Sequence, residues 1–207
     1  MRPPTEQYLQ LAEWRREIAQ LYASVRAAAS PLSAWEVWRA KRDEMFLSHP
    51  QSPLSDEARA AFGGSDYFAY DDSVRVLGKV EDAPLERHSV PTSSGEPMEL
   101  ERFARLRFKL YGQELTLDAY WLTGYGGGIF VPFRDRTSGV TTYGAGRYLW
   151  DSIKGADLGA TQDALLLDFN FAYNPSCSYD DRWACPLAPP ANHLPVEVRA
   201  GEKTLKL

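Results

Sequence analysis

A chain of 207 residues, 44% hydrophobic and 25% charged, is long enough to bury a sizeable core and too apolar to stay disordered. A formal net charge of -5 argues against a nucleic-acid partner, because neutralising phosphates takes clustered Lys and Arg. No stretch approaches the ~20 apolar residues of a membrane helix, and residues 1–17 lack the apolar centre of a secretion signal, so the expectation is a cytoplasmic protein with no membrane partner.

From 5 to 29, apolar residues recur at Tyr8, Leu11, Ile18, Leu21, Tyr22 and Val25, with Glu13, Arg15, Arg16 and Glu17 between them. This is the period of an amphipathic helix, and Ser30-Pro31 ends it. Ser33 and Glu36 have capping-box spacing, so a second helix is expected to start there, carry Trp35, Trp38, Met45 and Phe46, and stop before Pro50. Ser55 is placed to cap a short third helix, 56–62, ended by Gly63-Gly64.

Beyond Gly64 the period drops to two. Val74, Val76, Gly78 and Val80 alternate with Arg75, Leu77 and Lys79. Between Glu99 and Tyr111, the residues Leu100, Ala104, Leu106, Phe108 and Leu110 share one face, while Glu101, Arg105, Arg107 and Lys109 share the other. Tyr111-Gly112-Gln113-Glu114 reads as a tight turn into Leu115, Leu117 and Ala119, which predicts an antiparallel hairpin. Further strands are expected at 67–71, 128–133, 142–150, 164–170 and 195–199, and the Pro- and Ser-rich stretches 82–97 and 174–195 read as loops. No long helical pattern separates the strands, so pairing should be antiparallel. The predicted fold is mainly β: an antiparallel β-barrel or sandwich spanning 65–207, with an N-terminal helical segment, 1–64, packed on it as part of one structural unit.

Candidate site residues are polar ones standing in strand-like sequence. Arg134 and Asp135 close a strand, where an arginine fork can clamp a carboxylate or phosphate, or form a salt bridge that fixes the turn. In Thr142 to Tyr148, Gly144 and Gly146 precede Arg147. Those glycines suit either close approach of amides to an anion or a bulge at a barrel corner, and the run is neither a Walker loop nor a dinucleotide motif. Asp168 and Asn170 lie two apart in an extended stretch and so share a face, where they need partners, Arg134 and Arg147 being the expected ones. In a catalytic reading, Asp168 is the acid/base or cation-binding carboxylate. Tyr143, Tyr173 and Asn174 complete the candidate ligand-binding set.

Cys177, Cys185 and His193 are eight residues apart each, without the tight pairing of a zinc site, so no metal is expected. The two thiols should instead meet across a loop, as small buried side chains or as a disulfide. Trp121 is expected in the core, and Tyr120 and Tyr125, beside Gly126-Gly127-Gly128, could floor a pocket with it.

Several of these runs together resemble a known family, the uncharacterised bacterial and archaeal proteins grouped as domain of unknown function 1684. They are His49-Pro50-Gln51-Ser52-Pro53-Leu54, Phe133-Arg134-Asp135, the run from Thr142 to Tyr148, Leu167-Asp168-Phe169-Asn170, Ala172-Tyr173-Asn174-Pro175, Cys177, Cys185-Pro186-Leu187, Asn192 and Ala200-Gly201-Glu202-Lys203. His193 is not part of the pattern. The resemblance implies one intact domain whose signature is the polar cluster; neither a reaction nor a cofactor follows from it. The functional expectation is a pocket-forming β domain that binds a small polar or anionic molecule through Arg134, Arg147, Asp168 and Asn170. Its rivals are a hydrolase-type enzyme using Asp168 with an arginine, and a structural or interaction module in which these residues only fasten loops. Convergence on a reachable concavity would favour the first two, and pairing off without a void the third.

Overall fold

The computed structural model describes residues 5–124 and 126–205. Three helices come first: α1, Thr5–Ala27; α2, Pro31–Ser48; and α3, Asp56–Ala61. The second starts ahead of the expected capping box. Ser30 is its N-cap, accepting the amide of Ser33 at 3.3 Å, and Pro31 fills the first helical position, where a missing N–H costs nothing. The Ser30-Pro31 pair that stops α1 therefore also starts α2. Ser55 caps α3 as expected, through the Ala58 amide at 3.1 Å.

Six strands follow: β1, Arg75–Pro91; β2, Pro97–Leu110; β3, Gln113–Leu122; β4, Gly128–Phe133; β5, Arg147–Asp151; and β6, Ala164–Asp168. They form one antiparallel sheet in the order β5-β4-β3-β2-β1-β6, curled into a half-barrel. The β2–β3 hairpin turns on Tyr111 and Gly112 alone, at φ 50° and 77°, with Leu110 opposite Gln113. Two successive left-handed residues match the right-handed twist of the strands they join. The apolar face read from the sequence, Leu100 to Leu110, is buried throughout.

Expectations about strands need correction at several points. Residues 82–91 continue β1 rather than forming a loop. Ala83-Pro84-Leu85 stand opposite the single residue Phe103, and this bulge breaks the alternation that a strand would show. The 142–150 strand begins only at Arg147, and 67–71 contributes one bridge, Tyr67 to Glu202. Segment 195–199 alternates as predicted, with Val196, Val198 and Ala200 buried, yet forms no strand. Side chains take up the polar backbone groups of Val198 there.

The main core joins the helices to the sheet: Leu21, Tyr22, Trp35 and Trp38 pack with Leu106, Leu117, Val131, Leu149 and Phe171. Trp38 is fully buried, its ring edge-on to Phe171 at 5.1 Å. A smaller cluster of Val90, Leu100, Tyr120, Phe130 and Tyr148 packs on the other side of the sheet from Val131 and Leu149, so that Phe130-Val131 and Tyr148-Leu149 are buried in succession. Trp121 is 41% exposed rather than core, lying over Gly127, where a Cβ would meet its ring at 2.3 Å. Tyr125 lies outside the described residues. Among the described residues no helix is long and apolar enough to cross a membrane.

Candidate functional site

Phe133 and Arg147 are register partners at the ends of β4 and β5, which brings Asp135 beside the Arg147 guanidinium, Nη2 to Oδ1 3.4 Å, both side chains wholly buried. Arg147 also donates from Nη1 to the carbonyls of Ala200 and Glu202, and from Nη2 to that of Val198 at 3.1 Å. Asp135 accepts the Val198 amide at 2.7 Å and the Thr137 hydroxyl at 2.8 Å. The guanidinium stacks on Phe133 at 5.0 Å. Burial drives Arg147 below its ordinary pKa, with Asp135 opposing. The pair clasps 198–202 onto the sheet, and the bonds of the guanidinium go to Asp135 and to backbone carbonyls rather than to Asp168. Gly146, at φ 100°, ends the turn before β5, and a Cβ there would meet the Phe133 carbonyl at 2.5 Å, so glycine is needed for close backbone approach; the register irregularity of the β4–β5 pair falls at Leu149 instead.

Asp168 and Asn170 do not alternate on a strand as expected, because β6 stops at Asp168 and 169–171 make a 3₁₀ turn. Asp168 Oδ1 caps the turn, accepting from the Asn170 amide at 3.0 Å and from Nδ2 at 2.9 Å. Asn170 in turn holds both backbone groups of Asp71, at 2.8 and 2.9 Å, and its carbonyl accepts from the Trp35 indole. The arginine beside Asp168 is neither Arg134 nor Arg147 but Arg75, Nε to Oδ2 3.5 Å. The register explains the correction: Arg75 stands directly opposite Asp168 in the β1–β6 ladder. Asp168 borders a cleft of about 460 Å³ between the helices and β6, with Arg26, Arg75 and apolar walls from Val25, Leu158 and Phe171.

Burial lifts the Asp168 carboxyl from 3.8 to about 6, against the lowering effect of Asn170 and Arg75. Between those values the folded protein keeps a proton that the unfolded chain has released, so stability falls as pH rises through the window. The charged side chain costs roughly 3 kcal/mol above it. Asp168→Asn keeps the oxygen that Asn170 uses. It should equal wild type at pH 4 and exceed it at pH 7 by up to ~3 kcal/mol in urea unfolding. Lower stability at both pH values would show instead that the ion pair with Arg75 outweighs burial.

A third grouping lies where α1 and α2 meet the sheet. Arg42 stands on the apolar stripe of α2, buried, its guanidinium over Trp38, Phe46 and Tyr173 at 4.7, 5.1 and 5.3 Å. Its Nη1 donates to Glu202 Oε2 at 3.2 Å and to the Tyr67 hydroxyl at 3.0 Å. Burial opposes the charge, but Glu202 and the surrounding tyrosines hold the guanidinium firmly protonated. Glu202 also accepts from the Tyr179 hydroxyl and from the Asn174 amide, the latter at 2.8 Å. Arg42 borders a cavity of about 80 Å³, which Tyr22, Tyr173, Asn174, Tyr179 and Lys154 also line. The Asn174 Nδ2 donates to the Lys203 carbonyl at 2.8 Å, whereas its Oδ1 is buried with no partner among the described residues.

The expected residues therefore do not converge. Arg147 and Asp135 form one knot, Asp168 and Asn170 a second, and Tyr173 and Asn174 border the cavity. Arg134 lines a separate surface cleft of about 410 Å³ with Arg87, His88 and His193. Tyr143 meets Cys177, hydroxyl to sulfur 3.7 Å. Among the described residues no three His, Cys, Asp or Glu side chains gather as a metal site. Sequence reading missed Arg42, Glu202, Tyr22, Tyr179 and Arg75. A signal existed for Arg42, which follows Trp35 and Trp38 at helical spacing and puts a charge on an apolar stripe.

The class so defined is an open antiparallel half-barrel closed along one side by helices, with buried ion pairs that clasp its C-terminal segment. Residues 60–203 match the family described as "Protein of unknown function (DUF1684)", and the chain belongs to that family. The solution NMR structure of an uncharacterized protein of Haloarcula marismortui is 35% identical, with a TM-score of 0.62, the match covering 83% of this chain and 93% of that one. No curated protein matches the chain.

Proposed function

We propose that the protein binds a small polar molecule in the cavity between α1, α2 and the sheet. The observation that carries this reading is the unpaired Asn174 Oδ1. A buried acceptor without a donor costs about 1–3 kcal/mol, which a ligand N–H or O–H would recover. Among the described residues, protein acceptors engage only Nη1 of Arg42, so the rest of this cavity-lining fork can donate to the ligand. Glu202 neutralises Arg42, and Asp151 pairs with Lys154 at 3.6 Å, which suits an uncharged molecule or a monoanion rather than a phosphate ester. At about 80 Å³ the cavity holds about half a dozen non-hydrogen atoms, far fewer than a nucleotide needs. A short carboxamide meets these terms, presenting its oxygen to Arg42 and an N–H to Asn174.

The test is NMR titration of the folded protein with acetamide, followed at the Trp14 indole, which lines the cavity. Saturable shifts are expected in wild type and should vanish in Ile18→Trp, which fills the space from α1. Shifts that persist unchanged in the filled variant, or none in wild type, would overturn the reading.

A second reading has one observation in its favour: the Asp168 carboxyl, titrating at about 6, borders the larger cleft beside Arg75, as a general acid or base would. It requires that the protein hydrolyse an ester such as p-nitrophenyl acetate or p-nitrophenyl phosphate and that folded Asp168→Asn fail to. Equal rates would dispose of it.

A further inference from the structure

Two crossing segments hold Cys177 and Cys185 together. Near the end of β1, Thr92 bridges to Pro186, and the Leu187 amide donates to the Pro91 carbonyl at 3.1 Å. Ser93 is fastened to Cys185 by two bonds: its amide donates to the Cys185 carbonyl at 2.9 Å, and its hydroxyl oxygen accepts the Cys185 amide at 3.0 Å. From the 3₁₀ turn Ser176–Ser178, the Cys177 amide donates to the Cys185 sulfur at 3.4 Å. The backbone on both sides thus fixes the approach of the sulfurs. Both are free thiols; Cys185 is buried, whereas Cys177 is partly open to solvent with the Tyr143 hydroxyl 3.7 Å from its sulfur. A cysteine serving only as a small apolar side chain would be buried on all sides, as Cys185 is and Cys177 is not.

We infer that Cys177 is a peroxide-reactive cysteine and Cys185 its resolving partner, the two cycling between a dithiol and an intramolecular disulfide. The Cys177 thiolate attacks one oxygen of hydrogen peroxide or an alkyl hydroperoxide and the O–O bond breaks. Sulfur is oxidised by two electrons to the sulfenic acid, and the other oxygen takes a proton and leaves as water or alcohol. The Cys185 sulfur then attacks the sulfenic sulfur. The S–O bond breaks, the hydroxyl leaves as water with the Cys185 proton, and an S–S bond joins the two residues. A dithiol reductant restores the pair by thiol–disulfide exchange and is itself oxidised to a disulfide.

The electrostatics divide the roles in the same way. The Cys185 thiol beside it brings Cys177 down to about 6; burial works against this, and the Ser93 and Tyr143 hydroxyls support it. Cys177 is therefore largely thiolate at neutral pH. The same contact, together with burial, pushes Cys185 well above the ordinary thiol value, so it stays protonated until a sulfenic acid forms next to it. None of this depends on the cavity between the helices and the sheet.

The experiment treats the intact reduced protein with one equivalent of hydrogen peroxide at pH 7, followed by non-reducing digestion with trypsin, which cuts at Arg182 between the two cysteines. The expected product is a pair of peptides joined through Cys177 and Cys185. In Cys185→Ser the sulfenic acid should persist and be trapped at Cys177 by dimedone, while Cys177→Ser should give no adduct. Without any variant, iodoacetamide should alkylate Cys177 on the order of ten-fold faster than Cys185 at pH 7, with a rate that falls away below about pH 6. Thiols left intact by peroxide, faster labelling of Cys185, or a Cys177 midpoint near the ordinary ~8.5 would each overturn the assignment.

Discussion

Replacing Arg147 by Met should destabilise the fold by about 3–5 kcal/mol, the cost of removing one partner from a buried ion pair. The larger part comes from oxygens left behind. Asp135 keeps the Val198 amide and the Thr137 hydroxyl, but the carbonyls of Val198, Ala200 and Glu202 all lose their donor in a place that water does not reach. Arg147→Lys should recover little, since one ammonium group cannot span a carboxylate and three carbonyls that a planar fork reaches together. Chemical denaturation measures the loss. Amide exchange locates it: protection at the Val198 amide should collapse before that of β2 and β3. If exchange quickened uniformly over the sheet, the arginine would be supporting the core and not clasping one segment.

Glu202→Gln should be comparably damaging, again about 3–5 kcal/mol, because Arg42 would stay charged and buried with no counter-charge. The neutral amide keeps nearly the same shape and can still accept from Tyr179, so a loss of this size would be due to charge rather than volume. The pairing makes a sharper prediction. Arg42→Met in the Glu202→Gln background removes the orphaned cation and leaves an unbranched side chain against Trp38, Phe46 and Tyr173. The double variant should be more stable than Glu202→Gln alone, and a double-mutant cycle in urea gives the coupling. Additive losses would show that the two side chains act separately.

Sequence periodicity made the helices and the β2–β3 hairpin legible, because faces follow from spacing along one element. It also flagged Arg147, Asp168 and Asn170 as odd in their settings, and each is indeed buried. Their partners were not legible. Arg147 binds backbone carbonyls, which leave no mark on residue type. Asp168 found Arg75 through a strand register spanning 93 positions, 75 to 168, which no local spacing encodes. The long β1 was hidden because the Ala83-Pro84-Leu85 bulge interrupts it and its outer half is largely solvent-facing, so its composition is that of a loop. The closeness of Cys177 and Cys185 was readable from their short separation, but Tyr143 and Ser93 came from elsewhere in the chain.

The clasp between α2 and the C-terminal segment also fixes the order in which this protein can fold. Trp35 finds its hydrogen-bond acceptor 135 residues downstream, and Arg42 its counter-ion 160 residues downstream. Contacts of such high order make folding slow, since loop closure must come before any gain from them. During synthesis at ~5–20 residues per second, the first two helices wait roughly 10–30 s before Glu202 exists. Through that interval Trp35, Trp38 and Phe46 have only one another and the early strands to cover them, so the nascent chain is the state most exposed to aggregation and to chaperone capture.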